Sequence, residues 1–330
     1  MKPLLTIGTR SSKLALWQAN HIKDELFKMG NHLGLPLLEI NLKEIKTKGD
    51  YITDVALSKV GGKGLFTKEI EDALLTNEID LAVHSLKDLP TKLPDGLKIG
   101  AMLKREKPHD VLIIRRGVAC NISTFINLPL HSKIGTSSLR RIAQLKSIRP
   151  DLEYIDLRGN LDTRIRKLEE GQFDAIVLAF AGIKRLGFEN KISEHLNPKE
   201  ILPAVGQGAL AIEIRENDKE IEKFISGLNH NETFLASIAE RSFLETLQGG
   251  CQVPIGAYSE IEGNKITLYG VIASLDGKSI IKETITGNLG FDECELIGKT
   301  LAKTLLQNGG KEILQEINVE TSHWSTSTGV

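Results

Sequence analysis

The sequence predicts an α/β protein with two similar lobes facing a cleft and a smaller α+β C-terminal domain built on an antiparallel sheet. Three observations carry this expectation. Short apolar runs alternate with amphipathic stretches through about the first two hundred residues, the rhythm of strands and helices around a largely parallel sheet. One strand-turn-helix motif occurs twice: Ile7-Gly8-Thr9-Arg10-Ser11-Ser12 and Ile134-Gly135-Thr136-Ser137-Ser138 each lead into a helix pattern, carrying Gln18 and Gln144 respectively. Late in the chain the style changes to paired strands joined by turn residues. The length of 330 residues exceeds the roughly 250 at which single cores stop growing, so more than one domain is expected.

In chain order, Leu4 to Ile7 is expected to be a strand, and Ser11 or Ser12 can cap a helix through Leu14, Trp17 and Ile22. Leu38 to Lys46 is a second strand, Thr67 to Leu75 a helix and Asp80 to His84 a strand. In the second block Val111 to Ile114 and Lys133 to Gly135 are strands. Leu139 to Ile148 is helical and stops before Pro150, and Leu161 to Glu170 is helical and stops at Gly171. Asp174 to Phe180 matches Asp80 to Val83 as a buried strand. Leu202 to Gly208, rich in Gly and Pro, suits a hinge or crossing segment. Asn231 to Leu247 is a helix. Tyr258 to Ile261, Lys265 to Ala273 and Ser279 to Ile285 are antiparallel strands with turns at Gly263-Asn264 and Asp276-Gly277. Leu296 to Leu306 is a closing helix.

Composition excludes several classes. Lys and Arg number 42 against 43 Asp and Glu, a formal charge of −1, so no global field attracts nucleic acid or an anionic membrane. The longest apolar run, Ala175 to Ile183, is about half the ~20 residues a membrane-spanning helix needs and is read as a buried strand. The N-terminal apolar run is too short for a signal-peptide core. Cys120, Cys251 and Cys294 show no CxxC spacing, which argues against a zinc site or disulfide framework and favours a reducing cytoplasm.

Four stretches could carry chemistry. His84-Ser85-Leu86-Lys87-Asp88 ends a strand, where α/β sheets place ligands; Lys87 can hold a carboxylate and Asp88 can face a developing cation, or the stretch is a solvated loop. Between His131 and Lys167 nine basic residues outnumber four acids, and Arg140 and Arg141 sit early in a helix, an unfavourable end for cations unless an anion binds there. A solvated helix face explains them equally. The cluster lacks the interleaved aromatics of a nucleic-acid surface. Gly249-Gly250-Cys251-Gln252-Val253-Pro254 is a shaped loop whose cysteine is either reactive or an inert thiol. Gly61-Gly62-Lys63-Gly64-Leu65-Phe66 lacks P-loop spacing and suits a lid with Lys59, Lys63 and Phe66, or an ordinary loop. His84 is expected to be structural and Trp17 to pack in the core.

Taken together these motifs resemble the porphobilinogen deaminase (hydroxymethylbilane synthase) family. The resemblance also covers Leu157-Arg158-Gly159-Asn160-Leu161-Asp162-Thr163-Arg164 and Ala181-Gly182-Ile183-Lys184-Arg185, and runs from about Leu4 past Cys251. It implies two lobes like those of type II periplasmic binding proteins: residues 1–104 with 205–226, and residues 105–204. A third domain, 227–330, would end in a disordered tail from about 321. It implies an enzyme that joins four porphobilinogen molecules with loss of ammonia, using a dipyrromethane cofactor bound to Cys251 through a thioether. It gives Asp88 the catalytic role. Lys87, Ser138, Arg140, Arg141 and Arg164 would hold the cofactor, and Arg10, Ser12, Gln18, Ser85, Arg158 and Arg185 the substrate. Lys59, Lys63 and Phe66 would form the active-site loop. The resemblance further implies a cytoplasmic monomer with no metal and no nucleic-acid or membrane partner.

Three positions depart from the family pattern: Lys13 where proline is frequent, Asp162 where small or neutral residues are usual, and Gln248 where an acid often precedes the paired glycines. Two rival readings differ in class. A two-lobed binding protein for an anion would leave the Gly-Gly-Cys loop unexplained, and a Cys251-dependent acyltransferase would need a histidine base that no motif marks.

Overall fold

A computed structural model describes residues 4–32, 39–51, 64–117, 122–249 and 253–317. In chain order the elements begin with β1 (Leu4–Thr9), α1 (Lys13–His32), β2 (Glu39–Glu44), α2 (Lys48–Tyr51), α3 (Lys68–Leu75), β3 (Leu81–Ser85) and β4 (Leu97–Met102). There follow β5 (Asp110–Ile114), β6 (Lys133–Gly135), α4 (Leu139–Ile148), β7 (Glu153–Ile155), α5 (Leu161–Glu169), β8 (Ala175–Ala179), α6 (Phe180–Arg185) and β9 (Glu194–His195). The last are β10 (Leu210–Arg215), α7 (Lys219–Ile225), α8 (Asn231–Thr246), β11 (Ile255–Glu262), β12 (Lys265–Ala273), β13 (Ile280–Asn288) and α9 (Phe291–Leu305).

The chain divides into two compact units. One comprises Met1–Ile52, Gly62–Glu106 and Gly208–Phe234, and the other Thr53–Gly61, Lys107–Gln207 and Leu235–Val330. The first unit holds a five-stranded sheet in the order β2-β1-β3-β10-β4. β1 runs parallel to β2 and β3, while β10 runs antiparallel to β3 and β4. Alternation along β3 sends Leu81 and Val83 into the cluster formed with α1 and α7, through Ala19, Ile22, Leu26, Phe224 and Ile225. Ala82 points the other way, into the cluster with Ile70 and Leu74 of α3.

The second unit contains a sheet of the order β7-β6-β8-β5-β9. Its pairings repeat the first: two parallel, then two antiparallel. Val111 and Ile113 pack with Ile165 and Leu168 of α5, while Leu112 packs with Leu145 of α4. Both sheets are thus covered by helices on both faces and share one strand order.

The repeat extends to individual atoms. Asp80 accepts a hydrogen bond from Thr6 N–H at 2.9 Å, and Asp174 accepts one from Lys133 N–H at 2.9 Å. Arg215, at the end of β10, lies 3.7 Å from Asp80, and Arg115, just after β5, lies 3.1 Å from Asp174. Ser12 and Ser138 each accept a long hydrogen bond from the backbone three residues on, at 3.3 and 3.4 Å. Gly8 and Gly135 are needed for close approach: a Cβ would meet Ile79 at 2.3 Å in one and Phe173 at 2.8 Å in the other. The internal echo read from sequence is therefore a structural repeat. The equivalent central strand follows its neighbours in the first unit (β10) and precedes them in the second (β5).

At the C-terminal end, β11, β12 and β13 form an antiparallel meander, with Lys265 paired to Asn288 and Ala273 to Ile280. Gly263 (φ +58°) and Gly277 (φ +73°) occupy the two turns. Gly270 of β12 lies beneath Phe243 of α8 and Leu301 of α9.

Three expectations need correction. The apolar run from Ala175 is strand only to Ala179. The β-branched Ile176 and Val177 lie inside β8, whereas Phe180-Ala181-Gly182 opens α6. The helix expected from Leu296 begins at Phe291, because Phe291 to Glu295 continue the helical pattern with an acidic first turn. Trp17 is not core packing: it is exposed and stacks on His21, with ring centroids 5.1 Å apart. The expected tail from 321 lies outside the described residues.

Candidate active site

A pocket in the first unit is lined by Arg10, Ser12, Gln18, Phe66, Thr67, His84, Ser85 and Asp88, among others. It forms where β1 gives way to α1 and where β3 ends. Asp88 closes a single 3₁₀ turn, Leu86–Asp88, whose Leu86 is buried and fixes the turn, so the Asp88 side chain is exposed at the pocket. Gln18 Nε2 donates to Ser85 Oγ at 2.8 Å and joins α1 to the end of β3. Lys87, beside Asp88, is half-buried and is not among the lining residues.

Arg10 is held from two sides. Its guanidinium carbon lies 4.3 Å from the centre of the Phe66 ring. Its Nε donates to Asp50 Oδ1 at 3.2 Å, and its Nη2 makes a closer contact with the same carboxylate. Burial pushes the Asp50 carboxyl up, but hydrogen bonds from Arg10 and from Thr47 outweigh this and hold it below its usual range. Gly49 makes room for the arrangement, since a Cβ there would lie 2.2 Å from the Phe66 ring. No motif marked Asp50 or Gly49; only their placement beside Arg10 and Phe66 does so.

The second unit holds a buried basic set. Ser138 caps α4, and Arg140 and Arg141 follow it. Both arginines are buried and converge on Asp110, which is fully buried at the start of β5. Arg140 Nη2 donates to Asp110 Oδ2 at 2.8 Å and Arg141 Nη2 to Asp110 Oδ1 at 2.7 Å. Arg140 also donates to Leu202 O and Arg141 to Val177 O. Gln207 Nε2 adds a third donor to Asp110, at 2.8 Å. Burial would raise the Asp110 carboxyl, yet the two guanidinium charges overcome it and hold it far below the usual carboxylate range.

Arg158 and Arg164 flank the turn at Gly159 (φ +107°), and Arg164 Nε donates to Gly159 O at 2.8 Å. Arg185 ends α6 and is half-buried. The structure thus gathers Arg10, Ser12, Gln18, Phe66, Ser85 and Asp88 in one pocket, and Arg140 and Arg141 around Asp110, with Ser138 capping the helix that carries them. Lys59, Lys63 and Cys251 lie outside the described residues. Among the described residues no group of three or more His, Cys, Asp or Glu is arranged to hold a metal ion, and no helix is long and apolar enough to cross a membrane.

Comparison with known proteins decides the family. A family model described as porphobilinogen deaminase, dipyromethane cofactor binding domain, matches residues 5–223, and one described as porphobilinogen deaminase, C-terminal domain, matches residues 234–307. The chain belongs to the porphobilinogen deaminase family. The porphobilinogen deaminase of Carboxydothermus hydrogenoformans is 52% identical over 317 residues, covering 96% of this chain and 98% of that one. That of Syntrophomonas wolfei is 51% identical over 312 residues, covering 94% and 98%.

The family's cofactor is dipyrromethane, and the buried basic set suits its acetate and propionate groups. Two guanidinium charges face one Asp110 carboxylate, which leaves one positive charge uncompensated within that set. Arg141 Nε is buried with no hydrogen-bond partner among the described residues, a donor ready for an anionic oxygen.

Proposed function

We propose that this porphobilinogen deaminase joins four porphobilinogen molecules head to tail, releasing ammonia, and yields hydroxymethylbilane for tetrapyrrole (heme) synthesis through the residues gathered in its pocket. The observation that carries the site assignment is the exposed Asp88 carboxylate in one pocket with Arg10, Ser12, Gln18 and Ser85. When porphobilinogen loses ammonia, positive charge develops on the pyrrole nitrogen. A carboxylate beside that N–H stabilises the charge most in the transition state. Asp88 takes this role. Arg10, Ser12, Gln18 and Ser85 hold the substrate's acetate and propionate groups and fix the ring against Asp88, and Arg158 and Arg185 are further substrate-binding residues in this reading. Phe66 lines the pocket, and Lys59 and Lys63 serve the same site in this reading.

The dipyrromethane, bound through Cys251, supplies the nucleophilic α-carbon that starts the chain. Lys87, Ser138, Arg140, Arg141 and Arg164 hold its carboxylates. In sequence Cys251 lies between α8 and β11. The described residues just before it are tightly shaped: Gln248 has φ +52°, and a Cβ on Gly249 would meet Leu244 at 2.6 Å and Ile255 at 2.7 Å. In this reading residues 1–104 with 205–226 provide the acid, 105–204 the arginines and 227–330 the anchor. The enzyme works as a cytoplasmic monomer.

The intact mass of denatured protein, beside Cys251→Ser, tests the anchor: two linked pyrrole units are expected on the wild type and none on the variant. Asp88→Asn tests the carboxylate. It is expected to fold, keep the added mass and lose about 10² to 10³ in turnover, the effect of removing one preorganised electrostatic group. Near-normal turnover would refute the assignment.

A further inference from the structure

Behind the pocket lies a polar cluster that the reaction as described does not use. Glu213 of β10 is fully buried, and its Oε2 lies 2.9 Å from His84 Nε2 on β3. Glu71 of α3 is buried as well. Glu71 Oε1, His84 Nε2, both Glu213 carboxylate oxygens and Thr67 Oγ1 are buried without a well-aligned hydrogen bond among the described residues. Arg215, next on the same face of β10, is committed elsewhere: to Leu74 O, Ile79 O, Asp218 and Asp80. Arg10 at the pocket is paired with Asp50. Two carboxylates and one imidazole therefore lie buried together, while Arg215 and Arg10 are both committed to other partners. Burial above all, with the Glu213 charge and Asp72, raises the Glu71 carboxyl against the opposing pull of Thr67 and His84.

The fold does not require these groups. The repeat maps Asp80 onto Asp174, Arg215 onto Arg115, and the positive-φ Asn77 onto Gly171. The same mapping sets Glu71, His84 and Glu213 against Ile165, Leu178 and Ile113. In the second unit those three residues lie in one hydrophobic cluster. One lobe thus builds these positions from apolar side chains, and the other builds them from acids and an imidazole, beside the pocket that His84 and Thr67 help to line.

We propose that Glu71, His84 and Glu213 form a proton store that opens on the Asp88 pocket through His84 and takes up the proton released in each condensation. The inference rests on reading that pocket as the condensation site. At each extension the C–H bond at the α-carbon of the attacking pyrrole breaks, its electron pair returns to the ring, and the proton passes to His84. With Nε2 set against Glu213, Nδ1 is the nitrogen that accepts it, and Glu213 balances the imidazolium charge. By then the C–N bond of the incoming porphobilinogen has broken, ammonia has left, and the α-carbon has bonded to the freed methylene carbon; His84 passes its proton to the amino group of the next porphobilinogen, which leaves in turn as ammonia, and the store is reset.

The test transplants the second lobe's residues: Glu71→Ile, His84→Leu and Glu213→Ile together. The triple variant is expected to match or exceed the wild type in thermal midpoint and to keep the cofactor mass. It should turn over about 10² or more slower, the range of a lost general base, and α-deuterated porphobilinogen should now show a primary isotope effect. A folded, loaded variant that turns over normally, or slowly without that isotope effect, overturns the proposal. Should the triple variant not fold, Glu213→Gln is read by the same isotope measurement, and an unchanged effect counts equally against it. Stability gives a second readout. A raised Glu71 carboxyl weakens the folded wild type as pH climbs above the ordinary value of 4.5, so the variant's advantage should widen there; a flat difference contradicts the store. Asp88→Asn separates the two ideas, since full activity in that variant would remove the pocket assignment itself, whatever the isotope effect shows.

Discussion

Asp110→Asn perturbs the point where the buried charges of the second unit balance. The wild-type carboxylate accepts from Arg140, Arg141 and Gln207 at 2.7–2.8 Å and is fully buried. Asparagine keeps the shape but neutralises neither guanidinium, and one arm of its amide turns a donor toward a donor. Breaking a buried ion pair from one side costs about 3–5 kcal/mol, because the partner charge stays buried and uncompensated. In a unit of this size that corresponds to a fall in Tm of about 6–20 °C. The pH dependence has a fixed sign. The folded carboxyl is depressed, so its stabilisation is complete above the unfolded value near 3.8 and is lost as pH falls through the folded value. Urea unfolding at neutral pH, followed by the transition of the second unit, should show the full loss. The gap between variant and wild type should narrow progressively below about pH 4. A loss under about 1 kcal/mol at neutral pH, or a gap that widens on acidification, would refute the reasoning, since it would mean that Asp110 does not neutralise the arginines.

Other outcomes follow from the same geometry. Gly49→Ala should displace the Phe66 ring from Arg10, cost about 1–3 kcal/mol of stability by overpacking, and raise KM for porphobilinogen more than it lowers kcat, as steady-state kinetics would show. Arg140→Leu and Arg158→Leu should stall at defined chain lengths, visible as discrete mass additions in intact protein, because each removes a carboxylate partner worth about 1.5–3 kcal/mol; uniformly slow turnover with no trapped species would count against this. Asp80→Asn and Asp174→Asn should each destabilise their own unit by about 1–3 kcal/mol, with the larger loss at the more buried Asp80, measured by urea unfolding.

Much of this was readable in the sequence where one residue or one period decides the outcome. The helix 139–148 and the strand 265–273 have the predicted bounds, because Ser138, Pro150 and the flanking turns punctuate them. The central strand β10 was harder to see, since Glu213 and Arg215 interrupt its apolar run and it pairs with β3 more than a hundred residues earlier. The pocket residues Arg10, Gln18, Ser85 and Asp88 were found as motifs. Their partners were not: Asp50, Asp110 and Glu213 become visible only when the fold sets them against Arg10, the Arg140–Arg141 pair and His84. A buried acid carries no local signature, because its partner comes from another element.

The repeat also explains why two lobes of one topology perform different work. At equivalent helix positions Gln18 donates to the Ser85 side chain at the pocket, whereas Gln144 exchanges hydrogen bonds with the Leu202 backbone, at 3.0 and 2.8 Å, and ties that segment to α4. At equivalent strand positions the first lobe has Leu210 where the second has Asp110. In the proposed reading that exchange sets the charge of each lobe's ligand surface. A buried carboxylate at 110 lets two adjacent arginines enter the interior and stay ordered, with one positive charge to spare within the set for an anionic chain. With Leu210 at that position and no buried arginine pair among the first lobe's described residues, Asp88 stays exposed, as its proposed role beside a developing cation requires. Moving Asp110 into the first lobe as Leu210→Asp should therefore be poorly tolerated. It would bury a carboxylate that has no arginine pair to meet it, whereas the second lobe depends on the same carboxylate to stay folded.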